Sequence, residues 1–429
     1  MMTEPTQSST FHRIMRIVAR IGAGLCLMAL VWSCATVPGL REERGGTYIR
    51  IPFVRVLLAD NSGEAVLGAN QSFAVECLSG GEQRMYYSSQ PVKVRNNGLR
   101  LEVTNHRGDV IQGVLDEVNI IPRGAGNRVR LNDNVYRGIM KVLPDGHNVQ
   151  VINIIYMEDY LRGVVPPEIG KRADDEIEAV KAQAVAARTY AMAHLKQYEG
   201  QPYDMKSSIT DQVYEGVRVE NVLVSRAIDA TAGRVAMFHD ELINAYYHST
   251  CGGMTDNIAH VWDRKETPYL RAVSDGGACS WSKYYRWRET FTERQLRGRV
   301  EQYLASDRGR DLRIGVIRDV SISERTPGGR VARLLIHTDR EVYKFHKDRI
   351  RWVIGRTSNP DLILPSDRFD VTIDRDGAGN IRTVTFKGSG YGHGVGMCQC
   401  GAIGLSRTGW TFDRILRHYY AGVGIEKLY

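Results

Sequence analysis

The segment from Asp175 to about Tyr198 constrains the fold most strongly, because it is the clearest helix in the chain. Its first turn is acidic, which complements the helix dipole, and Asp175 with Glu178 matches a capping box. Alanine recurs along it, and four alanines lie close together at Ala182, Ala184, Ala186 and Ala187. So slim a helix lets neighbouring backbones approach closely, and we expect it at the centre of the fold.

Much of the remaining chain has the alternating pattern of short β-strands. Apolar and polar side chains alternate between turns in residues 47–143. Pro144-Asp145-Gly146 then separates residues 136–143 from 148–156, which predicts a β-hairpin. Further strands are predicted at 314–322, 331–337 and 369–387, and further helices at 225–232 and 411–420. The predicted fold class is α+β, with antiparallel β-rich units packed around the helix at about 175–198.

Composition excludes several classes of protein. The chain has 429 residues, 57 basic and 49 acidic side chains (+8), and 43% hydrophobic residues, which is typical of a globular protein. It contains no long basic run and no recognisable nucleic-acid-binding module, so nucleic acid is not an expected partner. A mild positive charge is compatible with anionic cell-wall polymers or lipid headgroups, although solubility alone explains it equally well.

The N-terminus has the pattern of a targeting segment. Three arginines precede an apolar run at 21–32, which is shorter than the about 20 residues that span a bilayer. The run leads to Ser33-Cys34, which resembles a bacterial lipobox. We predict a lipoprotein signal peptide at 1–33, lipidation of Cys34, a membrane anchor through that lipid and a tether at 34–46; an uncleaved anchor is the alternative. Either places the rest of the chain in the cell envelope, at a periplasmic or outer face.

The remaining cysteines leave two chemistries open. Cys26 leaves with the signal peptide, and five cysteines stay in the mature chain besides Cys34: Cys77, Cys251, Cys279, Cys398 and Cys400. In an oxidising compartment this number allows two disulfides and a free thiol, or a metal site with thiols left over.

Two segments have the composition of a binding cleft. In residues 160–169, Pro166-Pro167 restricts the backbone just before Glu168. Residues 388–401 contain six glycines around His393, which lets a ligand or another backbone approach closely. A fixed acid beside a glycine-lined wall suits a polymer cleft; an ordinary surface carboxylate before a helix is the alternative.

Several blocks of sequence resemble the SpoIID/LytB family. They are GVVPPEIG with EAVKAQAVAARTYA, then QVYEG, YYHSTCGGMT, VW…PYL, and GYGHGVGMCQCGA with ILRHYYAGVGIEKLY, in that order between residues 136 and 429. The resemblance implies that 144–429 is a SpoIID-like domain, with 47–143 as a β-rich N-terminal region. The family comprises lytic transglycosylases of peptidoglycan and amidase-enhancer proteins.

The resemblance also implies site residues. Glu168 takes the position of the catalytic glutamate, while Lys181, Arg188 and Tyr190 take positions expected to contact substrate. A protonated Glu168 would cleave the bond between N-acetylmuramic acid and N-acetylglucosamine and give a 1,6-anhydro end without a second carboxylate or a cofactor. Asp211 is either a second carboxylate or a loop aspartate.

Aromatic and polar side chains complete the expected site. Tyr190 and Tyr214 either stack on sugar rings or belong to the core. His393 and Gln399 are expected to form a hydrogen-bonding wall along the glycan rather than to transfer protons.

Some SpoIID proteins hold zinc, and this chain departs from many relatives by its cysteines in the HSTCGG and GMCQC blocks. If the blocks converge, His248, Cys251, Cys279 and Cys398 form a tetrahedral structural zinc site. A disulfide from Cys251 to Cys279 or Cys398 is an equal alternative. A zinc hydrolase is disfavoured, because no HExxH motif is present.

Two functions follow from the resemblance. The first is a lytic transglycosylase that cuts peptidoglycan strands, in particular strands stripped of stem peptides. The second is a non-catalytic wall-binding protein whose partner is an N-acetylmuramoyl-L-alanine amidase that it stimulates. The retained Glu168 favours the first.

Overall fold

A computed structural model describes residues 51–208, 210–308 (308 by its backbone only), 312–359 and 361–429, with the backbone of 43–44 and 47–48. The predicted signal peptide, Cys34 and most of the tether lie outside these residues. In the N-terminal unit, which ends at Arg50, strand β1 (Glu43–Arg44) pairs antiparallel with β2 (Thr47–Tyr48). None of the helices in the described residues is long and apolar enough to cross a membrane.

The second unit, Ile51–Tyr429, begins with a series of strands. They are β3 (Phe53–Ser62), β4 (Glu64–Ala69), β5 (Phe73–Ser79), β6 (Glu82–Ser88), β7 (Val92–Asn96), β8 (Leu101–Thr104), β9 (Val110–Leu115), β10 (Glu117–Pro122), β11 (Val129–Leu131), β12 (Asn134–Tyr136), β13 (Ile139–Asp145) and β14 (Asn148–Tyr156).

The middle of the chain contributes helices and short strands. These are α1 (Met157–Ile169), a 3-10 turn (Asp174–Glu176), α2 (Ile177–Ala193), β15 (Met205–Lys206), a 3-10 turn (Gly216–Val219), α3 (Val222–Ala230), β16 (Arg234–Phe238), β17 (Glu241–Leu242), β18 (Tyr247–His248) and α4 (Ile258–Val261).

Two sheets are built from the thirteen strands β3 to β15. One has the order β12-β11-β4-β7-β8-β9 and the other β15-β3-β14-β13-β10-β5-β6. The predicted hairpin is β13–β14, with Asp145 paired to Asn148 across a turn in which Gly146 has φ 56°. Alternate residues of both strands, such as Val142 and Val151, are fully buried. Together with the helices, these sheets confirm the mixed α+β class.

Residues 287–388 form a subdomain with its own hydrophobic core, centred on Phe291, Leu334 and Phe386. Its elements are β19 (Trp287–Thr292), α5 (Glu293–Arg308), β20 (Ile317–Arg325), β21 (Val331–Thr338), β22 (Val342–His346), α6 (Arg349–Ile354), β23 (Phe369–Arg375) and β24 (Ile381–Gly388).

The chain then returns to the main core with β25 (Met397–Cys398), α7 (Gln399–Arg407), α8 (Phe412–Tyr419) and β26 (Gly424–Lys427). β25 runs parallel to β18, pairing Tyr247 with Met397 and His248 with Cys398. The main core contains residues from the N-terminal strands and from the last helices alike. The division into 47–143 and 144–429 stays a prediction, and its boundary falls inside β13.

The alanine-rich helix α2 packs against α1, α3, α7, α8 and β16. It is shorter than the predicted 175–198. At its start, the Glu176 carboxylate accepts the Ala173 N–H (2.9 Å), and a 3-10 turn replaces the first helical residues. At its end, the Lys196 N–H bonds to the Asp204 carboxylate (3.0 Å), and Lys196 has φ 64°, which ends helical geometry.

Candidate active site

Glu168 lies in the last turn of α1, in a backbone fixed by two prolines. Pro166 and Pro167 both lie inside the helix. Pro167 has no N–H to offer the Gly163 carbonyl one turn earlier, and that oxygen instead accepts the Glu215 N–H (3.2 Å). The helix therefore stays intact where proline normally disrupts a helix. The same hydrogen bond connects α1 to the loop after residue 211.

The Glu168 side chain lines a cleft of about 370 Å³, which we call the Glu168 cleft. Four of its residues form an aromatic wall: the ring centroids of Tyr246 and Trp262 are 5.1 Å apart, those of Trp262 and His393 4.9 Å, and those of Tyr190 and Tyr246 6.0 Å. Such rings offer a large apolar surface with polar edges. The lining residues are Glu168, Tyr190, Thr210, Asp211, Val213, Tyr246, Tyr247, Trp262 and His393.

The environment of Glu168 favours its protonated form. Burial raises the pKa of the Glu168 carboxyl, while hydrogen bonds from Gln399 and Tyr247 lower it in part. The net direction is upward, and no lysine or arginine is among the described residues that line the cleft. A carboxyl group with a raised pKa can act as a general acid.

Neutral polar side chains hold the carboxyl group in place. Tyr160 Oη donates to Gln212 Oε1 (3.1 Å), and Gln212 Nε2 donates to Tyr247 Oη (3.1 Å). The Tyr247 hydroxyl can therefore donate to Glu168. On the other side, Gln399 Nε2 lies 3.5 Å from Glu168 Oε2 and 3.4 Å from Oε1 of the buried Gln183. These contacts orient Glu168 without adding a charge.

His393 faces the cleft with both ring nitrogens engaged by backbone. Its Nδ1 accepts the Val395 N–H (3.1 Å), so Nε2 carries the proton and donates to the Tyr247 carbonyl (3.0 Å). Burial lowers the pKa of His393 to about 4. The imidazole is neutral and has no free nitrogen for proton transfer, as expected. It also has none left to bond a glycan, so the prediction that His393 belongs to a hydrogen-bonding wall is wrong and its ring offers only an aromatic surface.

The comparisons with known proteins agree with this geometry. The family model described as stage II sporulation protein (SpoIID) matches residues 145–238, which include Glu168 and α2. Stage II sporulation protein D of Bacillus subtilis is 29% identical over 65% of this chain and 76% of its own length. An uncharacterized protein of Brachyspira hyodysenteriae is 31% identical over 79% of this chain and 83% of its own length.

The chain belongs to the SpoIID/LytB family. The amidase enhancer of Bacillus subtilis is also similar, with 28% identity over 61% of this chain, although the match covers 39% of that longer protein. A second model, described as a domain of unknown function, matches residues 278–396, which include the subdomain. Membership of the SpoIID/LytB family connects the chain with the bacterial cell wall.

Arg188 does not reach the cleft of this SpoIID/LytB protein. It is fully buried, and its guanidinium donates to both oxygens of Glu158 (2.9 and 2.6 Å) and to the Arg234 carbonyl (3.0 Å). The prediction that Arg188 contacts substrate is therefore wrong. The residue holds α2 to α1 and β16 instead.

Lys181 and Tyr214 are also absent from the described lining. Lys181 Nζ pairs with Glu178 (2.6 Å) on the surface of α2. Tyr214 is buried, donates to Asn153 Oδ1 (2.8 Å) and packs on Gly163, so it takes the core alternative. Tyr190, by contrast, lines the cleft as expected.

Asp211 is a lining residue whose oxygens are already occupied. Gln197 Nε2 donates to one (2.9 Å), while Tyr198 Oη (2.9 Å) and the Lys206 N–H (2.7 Å) donate to the other. Sequence reasoning missed Gln212, Tyr247 and Trp262. They lie inside the QVYEG, YYHSTCGGMT and VW…PYL blocks, and the resemblance of those blocks to the family was the available signal.

Three of the four predicted metal ligands converge. The sulfurs of Cys251, Cys279 and Cys398 meet, but the fourth group is the Asp275 carboxylate and not His248. His248 Nδ1 instead contacts the Val395 carbonyl (3.2 Å), because the pairing of β18 with β25 directs the ring toward that segment. The predicted ligand set is therefore wrong in one member.

Proposed function

We propose that this protein is a peptidoglycan lytic transglycosylase that cleaves the bond between N-acetylmuramic acid and N-acetylglucosamine. One observation carries the proposal: a half-buried glutamate with a raised pKa opens into an aromatic cleft whose described lining has no lysine or arginine. Family membership supports a glycan of the cell wall as the substrate.

Glu168 would act as acid and then as base. Protonated Glu168 donates its proton to the glycosidic oxygen, and the bond from that oxygen to C1 of the muramic residue breaks with its electron pair on the oxygen. The glutamate then takes the proton of the muramic C6 hydroxyl as O6 bonds to C1. The product has a 1,6-anhydro end, no water is consumed, and the carboxyl group is protonated again.

Gln399 and Tyr247 serve both stages of this cycle. Their hydrogen bonds lower the pKa of Glu168 against the effect of burial, so the carboxylate left after the first step is stabilised. Fixed cations would favour the ionised form from the start and weaken the acid. Neutral donors are therefore suited to a group that alternates between the two forms.

Asp211 is the second carboxyl group that lines the cleft, and a hydrolase would use such a pair. The three hydrogen bonds to its oxygens fix it as an acceptor. In the proposed reaction the negative charge of Asp211 stabilises the positive charge that develops on the sugar ring. Asp211 itself transfers no proton.

The amidase-enhancer relative favours a second candidate function. In it, the chain binds glycan strands and stimulates an N-acetylmuramoyl-L-alanine amidase without cutting the strands itself. The aromatic wall serves this function as well. A half-buried carboxyl group held by neutral hydrogen-bond donors is not required for it.

Mass spectrometry of soluble products separates the two functions. The purified protein is incubated with intact peptidoglycan and with strands stripped by an amidase. Products lighter by one water than hydrolytic fragments are expected with wild type and with Glu199→Gln, an exposed control, and are expected to disappear with Glu168→Gln. Anhydro products that persist in Glu168→Gln, or strand binding with amidase stimulation and no products in any variant, would overturn the transglycosylase proposal.

The proposed reaction takes place outside the cytoplasm, so we retain the lipoprotein signal as part of the proposal. Cys34 would carry the lipid that holds the protein at a membrane of the cell envelope. Metabolic labelling with a fatty acid tests this: wild type should be labelled and Cys34→Ala should not. Label that persists in the variant would contradict lipidation at this position.

A further inference from the structure

A cluster of four metal-binding side chains lies in the main core. The Sγ atoms of Cys251, Cys279 and Cys398 and a carboxylate oxygen of Asp275 all lie within 4.8 Å of one another, and all four residues are buried. They come from β25, from the segment after β18 and from the loop before β19. We call them the Cys3Asp cluster.

We propose that the Cys3Asp cluster binds one Zn²⁺ as a closed, four-coordinate structural site. Ligands about 2.3 Å from a tetrahedral zinc lie about 3.8 Å from each other. Cys251 Sγ is 3.6 Å from Cys279 Sγ and 3.1 Å from Asp275 Oδ2. Since all four ligand atoms lie within 4.8 Å of one another, displacements of about 1 Å or less would produce the coordination geometry.

The surroundings are those of thiolate ligands. Backbone N–H groups of Cys251 (3.1 Å) and Gly401 (3.2 Å) point at Cys398 Sγ, and the Gly253 N–H points at Cys251 Sγ (3.3 Å). Such N–H donors stabilise negative charge on metal-bound sulfur. A neutral thiol would not need them.

A buried hydroxyl without a partner lies beside the cluster. Within the described structure, Tyr419 Oη is buried and has no hydrogen-bond partner. A Cβ atom at Gly401 would lie 2.1 Å from Tyr419 Oη and 3.2 Å from both Cys398 Sγ and Asp275 Oδ2, so these atoms surround one glycine. The hydroxyl is thus in place to donate to a ligand that carries charge.

Charge balance also calls for a cation. Asp275 is buried, and no lysine, arginine or histidine forms an ion pair with it among the described side chains. Its oxygens accept the N–H groups of Gly277 (2.9 Å) and Cys279 (3.1 Å), but a buried carboxylate remains costly unless it is paired with a cation or binds a metal. Three thiolates select a soft ion over Mg²⁺ or Ca²⁺.

A disulfide leaves this arrangement unexplained. The five described cysteines are free, and the 3.6 Å between Cys251 Sγ and Cys279 Sγ exceeds the about 2.05 Å of a disulfide. A bond between two of the three would leave the buried Asp275 carboxylate without a partner for its charge.

The zinc would tie together the segments that hold Glu168, an inference that rests on the proposed function. Cys398 directly precedes Gln399, whose amide contacts Glu168. β25 pairs with β18, which carries Tyr247, the other hydrogen-bond donor to Glu168. Cys251 and Cys398 are thus near the two partners of the acid, and one metal ion would fix both segments.

Metal analysis of the purified protein tests the proposal without an activity assay. We expect about one zinc per chain, which resists dialysis, and a thiolate-to-metal charge-transfer band when cobalt replaces zinc. Cys398→Ser and Asp275→Asn should lose at least half of the zinc. Cys77→Ser, in β5, and His248→Gln should keep all of it.

Several results would overturn the proposal. They are a zinc-free protein that takes up no zinc when purified under reducing conditions, a disulfide among the three cysteines in native peptide maps, and full zinc content in both Cys398→Ser and Asp275→Asn. Zinc loss in His248→Gln but not in Asp275→Asn would restore the histidine as ligand. The zinc content of the wild-type protein is measured without relying on any variant to fold. A wild-type protein that binds zinc but cleaves no strands would refute the proposed function and leave the zinc site standing.

Discussion

Gln399 Nε2 lies 3.5 Å from Glu168 Oε2, where the first residue of α7 meets the last turn of α1. The two residues are far apart in sequence. Glu168 is the proposed acid, and Gln399 contributes a neutral amide. The same amide contacts Gln183 of α2, so three helices meet at the carboxyl group. Their packing fixes the environment of Glu168 more than any local sequence does.

Removing this amide should move the pH dependence of strand cleavage. In Gln399→Leu, a hydrogen bond that lowers the pKa of Glu168 is lost, so the pKa rises further. Because the acid must be protonated, the alkaline limb of kcat/KM should move to higher pH. The maximal rate should fall about tenfold, since the carboxylate loses a donor. Gln201→Leu, at an exposed site, is the control; an unchanged or acid-shifted limb in Gln399→Leu would contradict the role of the amide.

Glu168→Gln should make the protein more stable at neutral pH. The pKa of Glu168 is raised in the folded state, so its contribution to stability is fully present below the unfolded pKa and is lost as pH rises through the folded pKa. Glutamine cannot ionise and avoids this loss. The gain in Tm over wild type should therefore grow as pH rises from about 4.5, near the unfolded pKa, through the higher folded pKa into the alkaline range.

Thermal unfolding of both proteins over that pH range checks this prediction. Glu199→Gln replaces an exposed carboxyl group and should show no comparable growth. A gain for Glu168→Gln that is the same at every pH would show that ionisation of Glu168 does not cost stability.

The Arg188–Glu158 pair should act on stability and not on substrate binding. Arg188→Met leaves Glu158 without its buried partner, and the free energy of unfolding should fall by about 3–5 kcal/mol. Glu158→Gln in the same chain should restore part of it. Arg226→Met, which breaks the exposed pair with Asp174, should cost less than about 1 kcal/mol.

Denaturant titration of these variants gives the free energies. For the folded fraction of Arg188→Met, the KM for glycan strands should be unchanged. A raised KM with unchanged stability would mean that Arg188 contacts substrate after all.

The aromatic wall should contribute to substrate binding. Trp262→Ala removes the ring between Tyr246 and His393, and KM for strands should rise about tenfold through lost apolar contact. Trp352→Ala, at a more exposed tryptophan outside the Glu168 cleft, is the matched control. Equal effects of the two substitutions would remove the argument that sugars pack on this wall.

Local patterns predicted the local structure well. The hairpin around Gly146 and the helix that begins near Asp175 depend on turn residues, alternation and periodicity, which neighbouring residues determine. Glu168 was found because an unusual Pro166-Pro167 pair precedes it within a block that resembles a family. Each of these signals lies within a few residues of the feature that it predicts.

Features that depend on distant segments were predicted less well. Arg188 lies on the helix expected to line the cleft, but it points to Glu158 on α1, and helical spacing alone does not choose between these directions. Asp275 replaces His248 beside the cysteines because the loop before β19 folds back onto Cys251. No residue spacing in the sequence predicts that this loop contacts Cys251.

The packing of α1 gives a final prediction. A Cβ atom at Gly163 would lie 2.6 Å from the Tyr214 ring, which is buried and held by Asn153. Gly163→Ala gains about 1 kcal/mol of helix propensity, but overpacking typically costs about 1–3 kcal/mol, so the variant should be less stable and should cleave strands more slowly because Glu168 shifts. Gly298→Ala, in α5 with open space around the site, should instead be neutral or more stable. Denaturant unfolding measures the stability of both variants. Equal gains in stability would mean that the Tyr214 ring moves aside at little cost. If the ring does not move aside, adding Tyr214→Leu to Gly163→Ala should recover part of the lost stability.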